Sequence, residues 1–248
     1  MQNALLVGLS RQMALGRELD VVANNLANVS TNGFKARSAR FADHVMPRAA
    51  ADHFARADRK LHFVIDAGTP LDTSAGAIEF TGNPLDVAVK GPGFLAVQTP
   101  AGERYTRNGS FALDRAGQLV TAEGFPVLGE AGPIAFDPQE SGIAIAPDGT
   151  VTTSVGPRGK LRLVAFADPG ALKNEGANVF SSAAPAQPAG TASRIEPGAL
   201  ERSNVKPILE MTRLMEVNRA YASIASMVGR MDEMKKSAIQ RLADASAS

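Results

Sequence analysis

The sequence predicts an α+β protein: N- and C-terminal helices form a coiled-coil-like α domain, and an all-β domain is inserted between them. Apolar residues recur with alternating three- and four-residue spacing at both ends of the chain and with a period of two in the middle. The middle is also punctuated by turn signals at the intervals of an all-β domain.

Over about residues 4 to 31 the spacing runs through Leu5, Gly8, Gln12, Leu15, Leu19, Val22, Leu26 and Val29. Leu5, Leu15, Leu19, Val22, Leu26 and Val29 are large and apolar, the pattern of a coiled-coil seam. Asn24, Asn28 and Asn32 are spaced four apart and would line up as a row of amides on such a helix. Each asparagine costs about 0.5 kcal/mol against alanine in a helix interior. The row is therefore read either as amides that set register against other helices or as a solvated polar face. Asn32-Gly33 reads as the helix stop, with Gly33 free to take positive φ. The N-terminal helix and an exit strip, Gly33 to Phe41 with Lys35, Arg37 and Arg40, make up residues 1–45.

Residues 46–70 are expected to be a connector, because PRAAADHFARADRK (47–60) is polar and alanine-rich after a proline. The β domain is expected over 71–180. Its strands are signalled by Leu85, Val87 and Val89, by Phe111 and Leu113, by Ile143 and Ile145, and by Leu161 and Leu163. Its turns are signalled at Asn108-Gly109, Asp114 to Gly117, Glu123-Gly124, Asp148-Gly149 and Arg158-Gly159, with a hairpin expected in ERYTRNGSFALD. A second connector is expected over 181–202, where the composition is low-complexity alanine, proline and serine. The C-terminal helix takes 203–248, with a seam at Leu214, Val217, Tyr221, Ile224, Val228, Met231, Lys235, Ala238 and Leu242.

These helices are weakly self-sufficient. Six apolar seam residues supply on the order of 10 kcal/mol of gross burial, against about 1–2 kcal/mol of backbone entropy per ordered residue. Each terminal helix therefore needs a partner helix, from the other terminus or from another subunit.

Composition excludes several classes. A formal net charge of +1 and 5% aromatics give no field for nucleic acid or anionic membrane. The absence of cysteine removes disulfides, thiolate catalysis and cysteine metal sites. Arg11, Arg17, Glu18 and Asp20 break up any secretory signal pattern, and no apolar run approaches the roughly 18 residues of a membrane span. A cytoplasmic protein, or one exported without a cleaved signal, fits both. His44, His53 and His62 recur every nine residues, which alternates helix faces, and they lack supporting ligands for zinc. KGPGF (90–94) lacks the third glycine and the following helix of a dinucleotide loop. Asp66, Asp72, Glu79 and Asp86 offer carboxylates, but no local motif picks out the pair a glycosidase needs. No catalytic, cofactor or metal site is expected.

Three stretches carry a resemblance. ANNLANVSTNGFK (23–35) holds Asn24, Asn25, Leu26, Ala27, Asn28, Thr31, Gly33, Phe34 and Lys35; residues 83–129 form a long second stretch; SNV (203–205) leads into the terminal helix. In all three the chain resembles the bacterial flagellar rod and hook proteins. Its length, its opening LSRQMALGRELDVVANN, GERYTRNGSF and FADP are most similar to proximal-rod members, whereas NRAY (218–221) is similar to a distal-rod sequence. The resemblance implies a self-assembling structural subunit of the rod that crosses the periplasm, not an enzyme. It would be exported unfolded by the flagellar type III apparatus and partnered by itself and by other proximal and distal rod subunits. The terminal helices would form the inner layer of a tube and the β domain its outer layer, with the basic exit strip meeting acidic neighbours. A soluble coiled-coil adaptor and a peptidoglycan hydrolase are the alternatives.

Overall fold

The computed structural model describes residues 2–46, 61–66 and 68–246. It is α+β, with a helix at each end and a β-rich middle. The chain folds as two units: Met1–Leu26, Arg37–Thr69 and Pro207–Ser248 form one, Ala27–Ala36 and Pro70–Lys206 the other.

The helical unit contains α1 (Gln2–Ala27) and α2 (Pro207–Ser246). Leucine, alanine, methionine, glutamine and arginine favour helix in α1. Pro207 at the first position of α2 loses no hydrogen bond, and Glu210 in the first turn complements the helix dipole. The two helices run antiparallel. A side chain built at Gly8 would stand 3.0 Å from a Val228 methyl, and one at Gly16 would stand 3.8 Å from the Tyr221 ring. Further along, Arg213 Nε donates to Glu18 Oε1 at 2.7 Å. Strands β1 (Phe41–Met46) and β2 (Leu61–Asp66) belong to the same unit and pair antiparallel, Phe41 opposite Asp66 and Met46 opposite Leu61. Of the expected connector 46–70, residues 47–60, with His53, lie outside the described residues, and β2 occupies 61–66.

Helix α1 ends at Ala27, short of the expected residue 31. Asn28 explains the stop: its carbonyl accepts the Thr31 N–H (3.2 Å) and its side-chain oxygen accepts the Thr31 hydroxyl (3.2 Å). This local turn competes with the helix ladder. Val29 is therefore not a seam residue of α1, and Asn24, Asn28 and Asn32 form no helical row. Gly33 does take positive φ, +68°, but six residues beyond the last helical position.

The β unit runs through β3 (Ile78–Phe80), β4 (Val87–Lys90), β5 (Phe94–Thr99), β6 (Gly102–Thr106), β7 (Phe111–Leu113), β8 (Leu119–Thr121), β9 (Leu128–Gly129) and β10 (Gly132–Pro133). It continues with β11 (Ala144–Ile145), β12 (Thr150–Thr153), β13 (Gly156–Lys160), β14 (Leu163–Ala165), β15 (Lys173–Asn174), β16 (Val179–Ser181), β17 (Gln187–Pro188), β18 (Arg194–Pro197) and β19 (Ala199–Glu201). One sheet has the order β15-β16-β6-β5-β14-β17 and a second the order β11-β12-β13. The remaining strands pair as β3 with β19, β4 with β18, β7 with β8 and β9 with β10.

Strand β5 shows how the core is built. Successive side chains of a strand point to opposite faces, so Leu95 and Val97 enter a large cluster with Val87, Leu119, Val127, Val151 and Ile195. Phe94 enters a second cluster with Leu71, Val164, Phe166, Leu172 and Phe180. There the rings of Phe166 and Phe180 meet Phe94 edge-on, with centroids 5.8 and 6.0 Å away.

Three local expectations are corrected. No hairpin forms at Asn108-Gly109: β6 pairs with β5 and β16, and β7 pairs with β8. The Asn108 side chain instead accepts the Ser110 N–H at 3.1 Å, and Gly109 lies so close to the Val87 carbonyl that a Cβ there would overlap it. The chain therefore turns a corner between two pairings. Arg158-Gly159 lies inside β13, and the turn falls earlier, at Ser154-Val155, with Gly156 opening β13 at φ +140°. The stretch 181–202 is not a bare connector, since it carries β17, β18 and β19. The last two pair with β4 and β3 near the start of the unit, and such distant partners leave no local periodicity.

Candidate assembly surfaces and a buried charge cluster

The motif residues divide between the two units. In the helical unit, Asn25 is buried, 1% exposed, although its amide sits near the end of a helix. Its Nδ2 donates to the Arg37 carbonyl at 2.8 Å and its Oδ1 accepts the Arg37 N–H at 3.0 Å, so the side chain satisfies a segment of backbone as a strand partner would. Burial holds the Arg37 guanidinium below the ordinary arginine range, with the Arg17 charge adding to the effect. Leu26 is half-buried and Asn24 exposed; Ala27, exposed, is the first residue of the β unit.

The remaining motif residues fold into the β unit. Gly33 reaches a place where a Cβ would overlap the Arg107 carbonyl and the Asn108 nitrogen, and it donates to the Glu201 carbonyl at 2.6 Å. Phe34 is buried beside it. Asn178 donates to the Asn32 carbonyl at 2.7 Å from a turn in which Ala177 and Asn178 have φ +48° and +53°. Left-handed geometry at a non-glycine pair is strained, and here it aims an amide at the strip. Asn204 accepts the Ala36 N–H at 2.7 Å and donates to the carbonyls of Asp72 (2.9 Å) and Ser74 (3.1 Å).

Lys35 is among the largest buried side chains of the described residues, 1% exposed. Its Nζ donates to the Ser74 carbonyl and to Glu201 Oε1, each at 2.6 Å. Glu201 also accepts the Gly76 N–H at 2.9 Å and, through Oε2, Arg107 Nη1 at 3.3 Å. Arg107 donates further to the carbonyls of Val89 (3.1 Å) and Gly91 (2.6 Å), and its guanidinium lies 4.8 Å from the Phe94 ring centroid. Two buried cations thus share one buried carboxylate. Burial lowers the Lys35 ammonium below the usual lysine value, and the attraction of Glu201 opposes it only in part. Burial lowers Arg107 too, again opposed by Glu201.

On the helices, Val22 and Val217 are buried among the expected seam residues, and Leu15, Leu19, Leu26, Leu214, Tyr221, Ile224, Val228 and Met231 are half-buried. Ala238 and Lys235 are exposed, and the side chains of Leu5 and Leu242 lie outside the described ones. A second apolar set remains wet. Leu6, Leu9 and Met13 are 45–69% exposed on α1, and Ile208, Leu209, Met211, Met215, Met227, Met234 and Ile239 are 46–79% exposed on α2.

No local sequence signal marks Arg107, Asn178, Glu201 or Asn204 as functional. Arg107 and Asn204 lie inside stretches noted for their resemblance, whereas Glu201 fell in the supposed connector. Among the described residues no group of His, Asp and Glu is placed to hold a metal ion, and no helix is long and apolar enough to cross a membrane.

Comparison with known proteins bears on this arrangement. Residues 5–35 match the family model for flagella basal body rod proteins, residues 88–153 that of the flagellar hook protein FlgE/F/G D1 domain, and residues 196–241 that of the flagellar basal body rod FlgEFG protein C-terminal region. Each matched stretch contributes one member of the buried cluster: Lys35, Arg107 and Glu201. The chain is 40% identical to the flagellar basal-body rod protein FlgF of Caulobacter vibrioides over 98% of both chains. It is 36% identical to FlgF of Mesorhizobium japonicum, also over 98% of both. The flagellar basal-body rod protein FlgG of Buchnera aphidicola matches at 34% over 87% of this chain and 90% of its own. The chain therefore belongs to the flagellar basal-body rod protein family, on the FlgF side of it.

Proposed function

We propose that the chain is a structural subunit of the bacterial flagellar basal-body rod and acts by assembling with other rod subunits. The carrying observation is the 40% identity to a FlgF protein over nearly the whole of both chains. The exposed apolar residues of α1 and α2 support it physically. Seven large apolar side chains on α2 alone are 46–79% exposed; at about 1.5–3 kcal/mol each between full exposure and full burial, and with a little over half of that surface still wet, they leave roughly 6–12 kcal/mol of gross stabilisation uncollected. Partner helices would collect it.

The finer reading places the subunit in the proximal rod, with FlgG of the distal rod among its neighbours and export through the type III apparatus. The seam residues Leu15, Leu19, Val22, Leu26, Leu214, Val217, Tyr221, Ile224, Val228 and Met231 hold helices along the axis, and the β unit supports them so that torque passes along the rod. No chemical step is assigned to it. Electron microscopy of basal bodies isolated after deletion of the gene tests the reading. The expected result is basal bodies that stop at the inner-membrane ring without a complete rod; complete rods and hooks would overturn it.

A further inference from the structure

We propose that Lys35 is a conditional lock: the strip 31–36 takes its course on the β unit only once Glu201 of β19 is seated. This goes beyond the rod assignment and does not depend on it.

The strip is bound mainly by groups late in the β unit. Gly33 donates to the carbonyl of Glu201, Asn204 N–H donates to the carbonyl of Phe34 (3.4 Å), and the Ala36 N–H is taken by Asn204. Those contacts would merely weaken the strip if β19 were absent. Lys35 makes the dependence steep. Its ammonium is buried, and Glu201 is the one carboxylate in ion-pair contact with it among the described residues, Asp72 adding only a weaker attraction. Without that carboxylate it would keep one hydrogen bond, to the Ser74 carbonyl, with the repulsion of the Arg107 guanidinium outweighing the weaker attraction of Asp72. A buried charge without a counter-charge is among the costliest arrangements in a protein, so the strip would come away to hydrate Lys35. The reverse dependence is weak, because Glu201 without Lys35 still has Arg107 and the Gly76 N–H. Lys35 and Glu201 are 166 residues apart, so the rule is directional along the chain: the strip that follows α1 waits for the strand that precedes α2.

An apolar residue at position 35 should remove the condition, which separates a conditional lock from an anchor that holds the strip by attraction. The test is native-state hydrogen exchange on the full-length chain, reading the amides of Gly33 and Ala36 against those of Gln98 and Val127 in the core. In Glu201→Gln the strip amides are expected to exchange at least about tenfold faster than in the wild type and to lose their protection, while the core amides stay protected although the unit as a whole is less stable. In Lys35→Met they are expected to stay within about twofold of wild type, and in the double variant to recover most of the protection lost in Glu201→Gln. The proposal is overturned if Lys35→Met by itself exposes the strip, if the double variant is as open as Glu201→Gln, or if Glu201→Gln leaves the strip protected. Should Glu201→Gln fail to fold, the Lys35→Met result alone still decides between lock and anchor.

Discussion

At the scale of residues, Lys35, Arg107 and Glu201 make a cluster whose members are unequal. Glu201 is the single carboxylate between two buried cations, and removing one side of a buried ion pair typically costs about 3–5 kcal/mol. Glu201→Gln should therefore destabilise the β unit by about that much in urea unfolding, whereas Lys35→Met, which takes away a charge and leaves the Glu201–Arg107 pair, should be within about 1 kcal/mol of wild type or more stable. The same asymmetry has a pH signature. The folded pKa of Lys35 lies below its ordinary 10.5, so between the two values the unfolded chain binds a proton that the folded chain does not. Stability through this group then rises with pH across that window, and the burial penalty is full below it. Wild type should gain on Lys35→Met as the pH is raised towards 10.5. The motif supplied Lys35 to the sequence reading as one basic residue among several. Its burial was not legible there, because Glu201 is distant in sequence and sat in a stretch whose composition resembles a linker.

At the scale of elements, the helices were the more legible part, since 3.6-residue periodicity is a local property. Even so, the pattern ran on past Ala27, because Val29 continues the apolar spacing while Asn28 and Thr31 close a turn that spacing does not register. The period-two segments at Val87, Phe111, Ile145 and Leu163 each fall in or beside a strand, but the pairing expected at Asn108-Gly109 does not occur. Which strand pairs with which depends on the whole set of partners. The exposed apolar row of α2 leads to a prediction at this scale. Met227 and Met234 are 46% and 59% exposed and lie seven residues apart, hence on one helix face. Replacing both with glutamate should leave the helix content of the chain unchanged in circular dichroism and reduce its concentration-dependent association in sedimentation velocity. Unchanged association would remove that face from the assembly surface.

At the scale of the whole molecule, the two units differ in how much they bury. The β unit holds two clusters of buried side chains around β5, whereas α2 is mostly exposed along its length. The units should therefore unfold in separate steps rather than in one two-state transition. The protein carries a reporter for each, because its only tyrosines are Tyr105 in β6 and Tyr221 in α2 and it has no tryptophan. In the Tyr221→Phe variant, loss of helical ellipticity at lower urea than the change in Tyr105 fluorescence is the expected order, and coincident transitions would show one cooperative body instead.

By itself the sequence determined the helix periodicity at both ends, the β-rich middle, the lack of cysteine and the motif stretches, because each of these is written in neighbouring residues or in composition. Tertiary structure decided where α1 stops, which strands pair, that residues 181–202 complete sheets begun a hundred residues earlier, and that Lys35 is buried against Glu201 and Arg107. Those outcomes depend on groups far apart in the chain. Burial and electrostatic compensation are properties of a place in space, and no window of sequence contains that place.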